Sequence, residues 1–436
     1  MANCKIKFMS AKEALSVLKS GDSVHVGSVV STPQVLVEAM VEVAKEKGLK
    51  NITVRHLHTE PPALYATPEL EGVFQLDSFF VGKNVRKVTQ AGFADYIPVF
   101  LSETQLLYRR REIPVNVVLI QVSPPDEHGY VSLGTSVDTT LAAMEMAETT
   151  IAVVNKHVPR AHGDAMIPMS RIHRFVEHDE PLEESGYGAP NENEVKIGKY
   201  CAELIEDGAC LQMGIGAIPN AVLAQLTNHK DLGIHTEMFA DGVLQLVEKG
   251  VITGARKAID KYKIVSTFLM GSKKVYDFID DNPEVLMQDV AYTNDPFVIA
   301  QNPKACAINS AIEIDLTGQV CADSIGPMHF SGVGGQVDFI YGAGRSEGGK
   351  PIIAMQSVTA KGVSKIVNTL KTGADCITTR AHMHWFVTEY GAVNLRGKSL
   401  QERARLLISV AHPDFREQLD REAFERYGSH FHFVGK

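Results

Sequence analysis

The sequence predicts an α/β fold made of two related open-sheet domains. Three observations carry this. A block of helix, glycine stop, short strand, turn and helix occurs twice; strand-length apolar runs alternate with helical stripes; and an acidic stretch without Lys or Arg separates the copies. At 436 residues the chain exceeds the roughly 250 to 300 at which one core stops growing, so more than one domain is expected.

The first copy is SAKEALSVLKSGDSVHVGSVVSTPQVLVEAM at 10–40, and the second is VKIGKYCAELIEDGACLQMGIGAIPNAVLAQL at 195–226. Ala14, Val17 and Leu18 match Cys201, Leu204 and Ile205, the apolar stripe of a helix. Gly21 and Gly208 then stand where a helix end favours a left-handed residue. Val24, His25 and Val26, like Leu211, Gln212 and Met213, read as strands. Pro33 and Pro219 fit the first turn of a following helix, where a missing N–H costs nothing.

Each copy runs on through a second short strand, at 52–57 and 232–234, to the same tripeptide, in HLHTEPP at 56–62 and GIHTEMFADG at 233–242. The repeat predicts a first domain over 1–180, an acidic linker over 181–194 and a second domain over 195–436. The wider stretch FVEHDEPLEESGYGAPNENEV at 175–195 holds seven acids, two prolines and no Lys or Arg. Its alternative is a structured acidic loop within one domain.

Composition excludes several classes. A net charge of −9 and the lack of a basic block give no electrostatic reason to bind nucleic acid or an anionic membrane. MANCKIKFMSAKEAL contains no long apolar run, so neither a signal peptide nor a spanning segment is expected. Six scattered cysteines without metal-site spacing suggest reduced thiols, a cytoplasmic location and no structural metal.

Which glutamate is active turns on the flanks. In open α/β sheets ligands gather beyond the carboxyl ends of the strands, where both glutamates would lie. Glu60 is followed by Pro61 and Pro62, which force an extended or turned backbone. Glu237 precedes MFADG and VLQLVEKG, and is expected on a short turn entering a helix, where free N–H groups stabilise a carboxylate. Its half also carries QMGIGAIP at 212–219 and SGVGGQVDF at 331–339, glycine clusters that let backbone approach a ligand closely. Taken alone, a glutamate after a strand is usually solvated or capping a helix, and GVGGQ can be a tight turn.

QMGIGAIP, HTEMFADG, INSAIEID, SGVGGQVDF, VTAKGVSKIV and HWFVTEYGAVNLRGKS, with NVVLIQVSPPDEHGYVSLGTSVD and VVNKHVPRAHGD in the first half, occur in the order and spacing of the acetyl-CoA hydrolase/transferase family. The chain resembles that family over almost its whole length, most of all its 4-hydroxybutyrate and butyrate CoA-transferases. The resemblance implies a site in the cleft between two CoA-transferase domains, and a ping-pong transfer of CoA from an acyl-CoA such as acetyl-CoA to a short-chain carboxylate through a glutamyl-CoA thioester. It assigns the nucleophile to Glu237, and CoA contacts to Gly214, Ile215, Gly216, Ala217, Ile218, Ile312, Gly334 and Lys361. It further implies no tightly bound cofactor, CoA entering as substrate, and a homodimer or higher homo-oligomer.

Residue chemistry agrees independently. A carboxylate with pKa near ~4.3 is ionised at neutral pH and needs no general base. Each attack builds charge on a carbonyl oxygen, for which the N–H groups of Gly334 and Gly335 are candidates, helped by the turn at 214–218. Lys361, on a loop expected near a helix start, suits a CoA phosphate, although most loop lysines are simply solvated. Arg160 and His162 in HVPRAHGD are candidates for the acid substrate's carboxylate. His382, His384 and Trp385 read as packing or pocket lining, and Glu389 as a structural ion pair.

Two rival functions use the same residues. Gly214-x-Gly216 after a strand, with an acid about twenty positions on, mimics a dinucleotide fingerprint and an NAD-binding oxidoreductase, though Pro219 takes the third glycine's place. Hydrolysis of acyl-CoA needs only water in place of the acceptor acid. A paralogue that merely binds a CoA ester is the non-enzymatic alternative.

Overall fold

The computed structural model describes residues 6–186, 188–214, 216–428 and 431. Two compact units result, and they are not contiguous halves. The first takes Met1–Gly186 and Lys263–Thr293; the second takes Tyr187–Tyr262 and Asn294–Lys436. A single boundary across 181–194 therefore misses the excursion of 263–293 into the first unit.

In the first unit, strands β1 Ser23–Val26, β2 Ile52–Arg55, β3 Phe74–Ser78, β4 Ala94–Tyr96, β5 Val117–Val122, β6 Thr149–Val154 and β7 Arg174–Glu177 form one sheet. Their order is β7-β6-β5-β1-β2-β3-β4, parallel throughout. Sheets of this kind are covered on both faces, which explains why VVLIQV of β5 is buried at every position. Between β1 and β2, helix α1 Gln34–Lys47 has Pro33 as its N-cap and ends on Gly48 at φ +62°. Gly21 and Gly208 adopt φ of +84° and +79°, the left-handed geometry expected of them.

Part of the acidic stretch is not linker at all. Phe175, Val176 and Glu177 lie in β7, and the segment beyond is tied down within the first unit. Tyr276 Oη donates to Glu183 O at 2.7 Å, the Lys273 amide to the Glu184 carboxylate at 2.8 Å, and the Ser185 amide to Gly271 O at 3.0 Å.

In the second unit, β8 Cys210–Met213, β9 Gly233–His235, β10 Ala305–Asn309, β11 Lys350–Ala354, β12 Trp385–Thr388 and β13 Gly391–Asn394 run in the order β13-β12-β11-β10-β8-β9. Only the edge hairpin β12–β13 is antiparallel. The helix α2 Glu192–Leu204 opens with a capping box between Asn191 and Glu194, inside the stretch expected as linker. It packs on α3 Ala217–Gln225 so closely that a Cβ on Gly198 would come within 2.7 Å of the Ala221 carbonyl. Glycine at 198 therefore seats α3, and with it the turn after β8, beside the sheet's carboxyl ends.

Candidate active site

The repeated tripeptide does three different things in its second occurrence. His235 is buried and its ring lies 6.4 Å from that of Phe339. Thr236, also buried, donates its hydroxyl to Met238 O at 2.8 Å and reaches Met213 O at 3.3 Å, joining the ends of β8 and β9. Glu237, in a bend after β9, is left to project its carboxylate.

That carboxylate meets the three-glycine loop. A Cβ built on Gly335 would overlap both Glu237 Oε2 and Asn294 Nδ2, and would sit 3.1 Å from Glu237 Cδ. Gly335 is the N-cap of helix α5 Gln336–Arg345, and Gly334 before it is left-handed at φ +56°. The end of a ten-residue helix with its free N–H groups thus stands beside the carboxylate. The helix expected to do this was the one following Glu237 in sequence. Instead a two-residue strand, Met238–Phe239, intervenes and the next helix starts only at Gly242.

Asn294 completes the arrangement and was not legible beforehand. It is fully buried, and its Nδ2 donates to Glu237 Oε2 at 3.0 Å and approaches Asp338 Oδ2, on the first turn of α5, at 3.4 Å. One amide therefore holds the carboxylate against the helix end. Nothing in the run AYTNDPF marks this asparagine; only tertiary structure brings it 57 positions back to Glu237.

The other expected site residues fall into three groups. Gly214 and Gly216 follow β8, and a Cβ on either would meet nothing within 4 Å; Gly216 has φ +120° and caps α3, whose first residues Ala217 and Ile218 are partly exposed. Open glycine backbone at a helix start can accept a close anionic or polar ligand. Ile215 lies outside the described residues. Half-buried Ile312 lies near the start of α5, because Gln336 Nε2 donates to Ser310 O at 2.7 Å. Lys361 is exposed at the tip of a tight turn closed by Gly362 N to Thr359 O at 2.9 Å; no helix starts there, contrary to the expectation.

Arg160 and His162 have partners of their own in the first unit. Arg160 pairs with Asp126 at 3.0 Å and Asp281 at 2.7 Å, and His162 Nε2 lies 3.2 Å from the same Asp281. Glu60 is bound by His58, whose hydrogen bond holds its carboxyl below the usual range. Glu389 is buried, and accepts from the amide and hydroxyl of Ser357 at 2.9 and 2.6 Å rather than forming a close ion pair. Among the described residues, Asp323, His329 and Asp375 bring potential ligand atoms within 4.8 Å of one another, with His329 and Asp375 paired at 3.5 Å. No described helix is long and apolar enough to cross a membrane.

Comparison with known proteins follows the same lines. The family model described as acetyl-CoA hydrolase/transferase N-terminal domain matches residues 2–183, and its C-terminal counterpart matches 271–423. A Fasciola hepatica protein named succinyl-CoA:acetate/propanoyl-CoA:succinate CoA transferase is 52% identical over 95% of this chain and 87% of its own. The 4-hydroxybutyrate coenzyme A transferase of Clostridium kluyveri is 46% identical over 97% and 98%. Among solved structures, RipA from Yersinia pestis superposes with a TM-score of 0.91 at 35% identity, covering 97% of each chain.

Proposed function

Because the chain belongs to the acetyl-CoA hydrolase/transferase family, we propose that it moves CoA between an acyl-CoA and a short-chain carboxylate by way of Glu237. Relatives named for acetate, succinate and 4-hydroxybutyrate support a small carboxylate as the acid, with acetyl-CoA the first donor to try. The observation that carries the reading is the Glu237 carboxylate lodged between Gly335 and Asn294 at the start of α5. That position suits a nucleophile whose product also needs holding.

The steps balance as follows. A Glu237 carboxylate oxygen attacks the thioester carbonyl; the C–S bond breaks, CoA leaves as thiolate, and a mixed anhydride remains. The thiolate attacks the glutamyl carbonyl and expels the first acid as carboxylate, leaving a glutamyl-CoA thioester. A second carboxylate reverses the sequence. The tetrahedral species in each attack carries an oxyanion, which the N–H groups of Gly334 and Gly335 would meet. Pantetheine and nucleotide contacts along Gly214, Gly216, Ala217 and Ile218 would supply binding energy realised at the reacting carbonyl. CoA is substrate here, no tightly held cofactor is invoked, and the working form is a homodimer or higher homo-oligomer.

Incubating the protein with an acyl-CoA and no free acid should leave a borohydride-sensitive thioester on Glu237. Glu237→Ala should lose both labelling and exchange, and a labelled peptide elsewhere would refute the assignment. Hydrolysis with water as acceptor uses the same intermediate. Its rate, compared with exchange into acetate, butyrate and 4-hydroxybutyrate, separates the two.

A further inference from the structure

At the far end of α5 from Glu237 lies a cavity of about 290 Å³, lined by Tyr341, Arg345, His382, His384, Arg396 and Arg403 among others, with no acidic side chain in its wall. Ten residues of helix, roughly 15 Å, separate the two ends. The cavity sits where β12 begins, since His384 immediately precedes Trp385, whereas Gly214 and Glu237 follow the carboxyl ends of β8 and β9. Because these strands are parallel, the two sites lie at opposite ends of the strands.

Among the described residues, its arginines have no ion-pair partners. Arg403 is 9% exposed, yet its guanidinium is satisfied by carbonyls alone: Thr317 O at 3.2 Å, Lys398 O at 3.2 Å and Arg380 O at 2.5 Å. Arg396 donates to Gly344 O at 3.2 Å and to His384 Nε2 at 3.3 Å. Arg345 lies over the rings of Phe297 and Tyr341, at 5.2 and 5.4 Å. Among the described residues the arginine ion pairs are elsewhere, on Arg55, Arg109, Arg160, Arg256 and Arg421. Burial, with Arg396 and Arg403 close by, holds His384 down at about 4, so it stays a neutral acceptor. Three guanidinium groups line one cavity in a chain of net charge −9; Arg403 is buried while Arg345 and Arg396 are exposed, so an anion entering the cavity meets one buried and two exposed cations and no acid.

We propose that this cavity is a binding site for a small phosphorylated anion, distinct from the Glu237 site. Guanidinium forks match phosphate oxygens in pairs, and the cavity admits a pyrophosphate-sized group or a small phosphate ester. The phosphate is that of a free small molecule rather than of the CoA tail, and the test separates these.

The full-length protein is titrated calorimetrically with inorganic pyrophosphate at constant ionic strength, and then with free CoA. Expected are saturable pyrophosphate binding, a loss of about tenfold or more in Arg396→Gln and Arg345→Gln at unchanged melting temperature, and unaltered CoA affinity and acyl-CoA KM in both variants. Failure of pyrophosphate to saturate at millimolar concentration overturns the proposal. So does a comparable rise in acyl-CoA KM, which would give the cavity to CoA, or a changed oligomeric state in the variants, which would give it to a second copy of the chain.

Discussion

Replacing Gly335 by alanine isolates the contact on which the proposed chemistry depends. Gly335 has φ −98° and ψ 9°, a conformation alanine can adopt, so the added methyl acts through space rather than through backbone strain. It would overlap Glu237 Oε2 and Asn294 Nδ2 and lie 3.1 Å from Glu237 Cδ. Relieving the overlap with Oε2 and restoring ordinary contacts near ~3.5 Å requires the carboxylate to retreat by more than about 1 Å. A displacement of about 1 Å typically costs about 10²-fold in rate, equivalent to ~2.7 kcal/mol of transition-state stabilisation. The effect on folding should be far smaller: a poorer N-cap costs about 1 kcal/mol, and the stiffer unfolded chain returns about 0.4–1. Acyl-CoA:acetate exchange should therefore fall about a hundredfold in kcat/KM while the melting temperature moves by a few degrees. Exchange within threefold of the parent, at an unchanged melting temperature, would mean that Glu237 is not the reacting group.

Asn294→Ala removes a hydrogen bond to a charged carboxylate and should cut kcat by about 10- to 150-fold, measured in the same exchange assay. Gly334→Ala forces a side chain into φ +56° and should destabilise by ~1–2 kcal/mol in urea unfolding, in contrast to Gly335→Ala. Glu60→Ala, which removes the partner of His58, should leave thioester formation on Glu237 intact by borohydride trapping. Lys365 is held down at about 8 by burial, which Glu389 partly opposes. Between about 8 and its ordinary 10.5 the unfolded chain binds the extra proton, so stability should rise with pH across that window by up to ~1.4 kcal/mol per unit. Lys365→Met should flatten that slope in denaturation series from pH 7 to 11.

What local chemistry dictates was legible. Positive-φ glycines at 21 and 208, helix starts at Pro33 and near Pro219, and the short strands β1 and β8 follow from patterns spanning a few residues. The choice of Glu237 rested on glycine clusters that could reach it, and Gly335 does. Contacts set by the tertiary path were not legible. The helix end beside Glu237 belongs to α5, almost a hundred positions on, because the three-residue β9 is followed by the two-residue strand Met238–Phe239 before α4 Gly242–Glu248 forms. Asn294 has no sequence signature, and the carboxylates that occupy Arg160 come from Asp126 and Asp281, residues with no pattern linking them to it.

The discontinuous first unit has a practical corollary. The chain leaves it at 186, re-enters at 263 and leaves again after 293. That inserted piece brings Asp289 to Arg109 at 2.5 Å, and the strands Ile264–Ser266 and Val285–Met287 that continue in parallel to His162–Gly163. A protease nick in the acidic stretch would consequently leave the downstream fragment carrying part of the upstream fold, so the severed pieces should co-purify. Gene fission at the same place should yield an amino-terminal product that cannot mature without its complement in trans.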